Sequence, residues 1–74
     1  MDINELVAES EYKHEMSEAL WKIGETLEKL SKIGKDDLKS VAYLKAAQVV
    51  YRTSNEYLSD ACQVGEKIIA NLKV

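Results

Sequence analysis

A chain of 74 residues with a net charge of −3, one cysteine and one histidine is at most one domain, near the size where a single-chain core is marginal. Cys62 alone makes no intrachain disulfide, and with His14 as the lone imidazole no dedicated His/Cys metal cluster can be assembled. No run approaches the roughly 20 apolar residues of a membrane span, and the overall acidity disfavours bulk nucleic-acid binding.

The start, Met1-Asp2-Ile3-Asn4-Glu5, is acidic where a Sec-type leader needs a positive start. The chain is therefore expected to be cytoplasmic at synthesis, and export would need a route that cuts no leader. Asp2 can accept the first free amide protons of a helix and Glu5 can return a bond as a capping box. This places helix one at about residues 3–33, with the apolar stripe Met16, Leu20, Ile23, Leu27 and Leu30. Ser10, Lys13 and His14 interrupt that stripe upstream, so fraying or a bend is expected near residues 8–14.

Gly34-Lys35-Asp36-Asp37 is the turn-like tetrad, at about residues 34–37, with a glycine to end one helix and acids to cap the next. Helix two then runs from about residue 37 to 73, and no proline interrupts it. Thr53-Ser54-Asn55 and Gly65 lower helix propensity and mark places where a kink is expected if there is one. A heptad stripe runs unbroken through Leu44, Ala47, Tyr51, Ser54, Leu58, Ala61, Gly65, Ile68 and Leu72. Ala47, Ser54, Ala61 and Gly65 alternate with large residues, which lets two backbones approach closely. Tyr43, Val50, Tyr57 and Val64 widen the stripe beyond one partner's footprint.

The fold class is therefore all-α: a single long antiparallel two-helix hairpin over residues 1–74, expected to join a helical bundle or oligomer. The candidate interface is Leu44, Ala47, Tyr51, Leu58, Ala61, Ile68 and Leu72, with Lys32, Lys35 and Lys39 as candidate contacts at the turn. Charge supports association too. Residues 1–20 carry six acids against one lysine, whereas residues 21–45 carry six lysines against four acids. The rod is thus electrically polar, which favours contacts between copies.

Signs of chemistry are few. His14 with Glu18 or Glu11 could share a helix face, but no second histidine or nucleophile accompanies them, and a surface histidine is the simpler account. Cys62 has only Lys67 nearby, so an activated thiolate lacks a cause, and a packed or half-packed cysteine is expected. Tyr12, Tyr43, Tyr51, Tyr57 and Trp21 could stack on bases, yet three of the tyrosines lie on or beside the stripe, where aromatics fill interfaces. There is no glycine-rich phosphate loop and no nucleophile elbow. No catalytic residue, cofactor or metal is expected.

From Glu25 to Tyr43, the run Glu-Thr-Leu-Glu-Lys-Leu-Ser-Lys-Ile-Gly-Lys-Asp-Asp-Leu-Lys-Ser-Val-Ala-Tyr resembles the turn region of type III secretion needle subunits. Tyr51-Arg52 and Ile68-Ile69-Ala70-Asn71-Leu72-Lys73 are similar to that family's Tyr-Arg step and its ending. The resemblance implies a hairpin subunit of a secretion filament, with Tyr51, Leu58, Ile68, Ile69 and Leu72 between subunits and the Gly34–Asp37 tip exposed. A second resemblance, of Ala42-Tyr43-Leu44-Lys45-Ala46-Ala47 and Val64-Gly65-Glu66-Lys67-Ile68 to family X DNA polymerases, implies a helix-hairpin-helix contact to DNA. Gln63 stands where the first hairpin glycine should be. The remaining alternative is a small phage-type inhibitor or sponge that binds a host protein or a nucleotide as an oligomer.

Overall fold

In the computed structural model, which describes residues 2–33 and 37–73, two helices account for nearly all of the chain: α1, Ile3–Ile33, and α2, Asp37–Leu72. The two lie side by side in a rod 58 Å long and 14 by 13 Å across. As α1 advances, α2 recedes: Tyr12 meets Tyr57, Ser17 meets Ser54 and Trp21 meets Tyr51, which makes the pair antiparallel.

Asp2 starts α1 as the sequence predicts. Its carboxylate accepts from the Asn4 amide at 2.6 Å and the Glu5 amide at 3.4 Å, and its carbonyl accepts from the Leu6 amide at 3.2 Å. Glu5 does not close the reciprocal bond. Asp37 opens α2, where a negative charge suits the helix dipole. Gly34, Lys35 and Asp36, expected to stop one helix and cap the next, lie outside the described residues.

Neither expected irregularity interrupts a helix. α1 is continuous through residues 8–14, and α2 through Thr53-Ser54-Asn55 and Gly65. Thr53 turns its hydroxyl back to the Val49 carbonyl at 3.0 Å, so its side chain is satisfied within the helix without interrupting it. A β-carbon at Gly65 would meet nothing within 4 Å. Gly65→Ala should therefore raise stability by about 0.5–1 kcal/mol through helix propensity alone, read as a higher thermal midpoint in circular dichroism.

The centre of the hairpin is built from small side chains. On α1 the buried residues Ser17, Gly24 and Ser31 recur every seven positions, and on α2 Ala47, Ser54 and Ala61 do the same. The large residues of the α1 stripe therefore stand beside the seam, not in it: Met16, Leu20 and Leu27 are half-buried, Ile23 is 50% exposed and Leu30 is 39% exposed. Small rows on both helices let the backbones come close, and the larger residues are then pushed to the flanks. Leu6 and Val64 are the only large apolar side chains fully buried among the described residues, whereas thirteen large hydrophobic ones are exposed. Two such burials contribute about 1.5–3 kcal/mol each, little against the entropy of ordering some seventy residues. The rod alone hides too little.

Candidate functional site

The seam divides the surface of the rod into two sides. Relative to Ser17, residues one and four positions on (Glu18, Trp21) lie to one side, and residues one back and three on (Met16, Leu20) lie to the other. On α2 the same rule, taken from Ser54, sends Asn55 and Leu58 to one side and Thr53 and Tyr57 to the other. A shallow groove shows which sides coincide: His14, Ser17, Glu18, Trp21, Lys22 and Glu25 of α1 line it together with Ser54, Asn55 and Leu58 of α2. We call this side the front. The back holds the Tyr12 and Tyr57 rings, 6.5 Å apart and edge to face, and Lys13, which bridges Glu9 at 3.2 Å and Asp60 at 3.7 Å.

The candidate interface residues separate accordingly. Ala47 and Ala61 are buried under α1, and Ile68, next in their row, is half-buried. Leu44, Leu58 and Leu72 stand one row over, on the front, at 44%, 40% and 69% exposure, with Tyr51 half-buried among them. Val41 and Ile69, also exposed, extend this front flank. Their seven-residue spacing with Gln48, Asn55 and Cys62 is the signal that would have placed Val41 in the set. Cys62, in that outward row, is exposed and not packed as expected. Of the tip residues, Lys32 and Lys39 are exposed, and Lys35 is outside the described residues.

The floor of the groove is a closed polar ring. The Ser54 hydroxyl donates to the Ser17 carbonyl at 2.7 Å, which uses its one proton, so the Ser17 hydroxyl is the donor in the 3.1 Å contact between the two oxygens. Both buried hydroxyls are thereby satisfied. The ring also sets the register, since only one pairing of the helices brings these two serines together.

Above it, the Tyr51 ring lies against Gly24, where the missing side chain leaves room for it. A β-carbon there would fall 2.5 Å from Cε1 of the Tyr51 ring. The ring also packs on Trp21 at a centroid distance of 4.4 Å. Burial against these neighbours, then the negative charges of Glu28 and Glu25, then a hydrogen bond donated to Glu28, hold the Tyr51 phenol above its ordinary value of 10.0. A raised native value means that the stability it contributes is complete below about pH 10 and declines as pH rises through the native value. Tyr51→Phe should remove one phenolate absorbance step lying above the ordinary midpoint, and Glu28→Gln should move that step down.

His14 and Glu18 do share the groove, as their spacing foretold, with Ser17, Trp21 and Leu58 around them. Among the described residues no three His, Cys, Asp or Glu side chains converge to hold a metal ion, and no helix is long and apolar enough to cross a membrane. The arrangement therefore offers apolar contact area with a central aromatic pair, flanked by charge. Comparison with protein-family models, characterised proteins and solved structures finds no match for this chain.

Proposed function

We propose that this chain is a non-enzymatic assembly module that packs against copies of itself through the outer flank of α2. The observation that carries this reading is the unequal burial along α2: its small residues are spent inside the hairpin, while Leu44, Leu58 and Leu72 stay exposed in a row. A contiguous apolar row rimmed by polar groups marks an interaction surface. Trp21 and Tyr51, in tilted ring contact near the middle of the rod, are the residue types that anchor such surfaces. The likeness of residues 25–43 to needle subunits supports a filament as the form that the assembly takes.

Sedimentation across a concentration range tests the proposal. The parent chain should grow beyond its 8.3 kDa monomer as concentration rises. A species that stays monomeric at every concentration overturns it. The groove beside His14 and Trp21 favours one second reading, an oligomer that holds a small ligand between hairpins. A discrete oligomer that releases a co-purified small molecule on denaturation would choose that reading over the first.

A further inference from the structure

The Ser17–Ser54 contact marks the middle of the rod, and charge divides along the axis there. The half that runs to the turn, residues 19–33 and 37–54, carries six basic residues against three acidic ones, a balance of +3. The open half, residues 3–18 and 55–72, carries eight acidic residues against two basic ones, a balance of −6. α2 shows the same separation by itself, with Lys39, Lys45 and Arg52 against Asp37 before its midpoint and three acids, Glu56, Asp60 and Glu66, against Lys67 after it. Among the described residues none of the six cations of the turn half forms an ion pair, whereas Lys13 of the open half is held by Glu9 and Asp60.

From this axial separation we infer that a neighbouring copy lies antiparallel along the outer flank of α2, its open half beside the turn half of the first. This rests on the self-association proposed above and specifies its direction. A parallel neighbour sets acidic half on acidic half and basic half on basic half, where like charges repel. An antiparallel one pairs opposite signs at both ends of the rod at once. Charges on rods in contact lie within the roughly 10 Å over which salt leaves them coupled, whereas the far ends of a 58 Å rod are screened from each other, so each half responds to what lies beside it. End-to-end contact also pairs opposite signs, but the 14 by 13 Å section covers only roughly 200 Å² per copy, where a standard specific interface takes about 800 Å². The long face, 58 by 14 Å, projects roughly that larger area. Since both copies use the same flank, the pairing is two-fold, and the antiparallel pair is the unit from which anything larger is built.

Sodium chloride reads the sign of the contact. Raising it from about 0.05 M to about 0.5 M should weaken association of the parent about tenfold or more in sedimentation equilibrium, since screening removes an attraction. Association that strengthens or holds steady overturns the inference, because screening relieves a parallel pair. Lys39→Gln with Lys45→Gln, both at exposed positions, should weaken association as well, and unchanged or tighter association overturns it. A second measurement reads direction without altering charge. Gln48 and Cys62 lie in one exposed row of α2, about 21 Å apart and on either side of its midpoint. Antiparallel copies therefore bring position 48 of one beside position 62 of the other, whereas parallel copies bring like positions together. Pyrene is attached to Cys62 of the parent and, in a chain that also carries Cys62→Ser, to the thiol introduced by Gln48→Cys. Excimer emission should appear in the mixture of the two labelled chains and in neither alone. Excimer in either chain alone, or in no sample, overturns the antiparallel direction while self-association stands on the sedimentation result. A parent that is monomeric at all concentrations removes the underlying proposal and the inference with it.

Discussion

Ser54→Leu should abolish the hairpin. Ser54 is 1% exposed, and its hydroxyl oxygen lies 2.7 Å from the Ser17 carbonyl oxygen of the opposite helix. A leucine has three more heavy atoms beyond Cβ than an alanine, and here the space beyond Cβ already belongs to α1's backbone. Overpacking of a close seam costs about 1–3 kcal/mol where neighbours can adjust, and a backbone adjusts less than a side chain. The substitution also removes the acceptor of the Ser17 hydroxyl, which adds about 1 kcal/mol or more for a buried donor left unpaired. With Leu6 and Val64 as the large side chains fully buried, the rod has little to set against such a loss. Circular dichroism should show lost cooperativity in thermal unfolding and a marked fall in helicity. Ser54→Ala is the control that separates volume from hydrogen bonding. It should keep the hairpin at a cost of about 1 kcal/mol, and pairing it with Ser17→Ala should recover most of that, because no donor is then stranded.

The same seam explains what the sequence made legible and what it hid. The two helices and their antiparallel pairing follow from heptad spacing, the Asp2 cap and the absence of proline, and the structure shows that hairpin, with α2 ending at Leu72, one residue before the expected end. The seam on α1 was not legible in the same way. Apolar periodicity selects Met16, Leu20, Ile23, Leu27 and Leu30, because hydrophobicity is the signal being read. In the hairpin, closeness of approach decides burial, and Ser17, Gly24 and Ser31 win for being small. Gly24 in particular reads as a helix-weakening residue until the Tyr51 ring is placed on it. The α2 stripe has heptad spacing in the sequence, yet it mixes two adjacent rows. Ala47 and Ala61 face α1, and Leu44, Leu58 and Leu72 face outward. A single sequence gives the spacing, but which row meets the neighbouring helix depends on the partner's small residues.

Leu58→Glu should dissociate the assembly and spare the fold. In the isolated hairpin Leu58 is 40% exposed and lies at the rim of the groove, so a glutamate can turn its carboxylate to water and change stability by a few tenths of a kcal/mol. Once a second copy covers the front, the same carboxylate loses its water. The interface forfeits the burial of the 40% of Leu58 still exposed, about 1 kcal/mol, and gains the larger cost of desolvating a charge beside the unpaired Glu18. Every 1.4 kcal/mol is tenfold in affinity, so association should weaken at least about 100-fold. The variant should sediment as a monomer with parental helicity over the concentrations at which the parent grows. Leu58→Met, of similar volume and still apolar, should assemble nearly as the parent does, because methionine keeps the buried area and adds no charge. Parental sedimentation of Leu58→Glu would show that the α2 flank does not meet another copy, and loss of helicity in it would show that Leu58 belongs to the hairpin's own core.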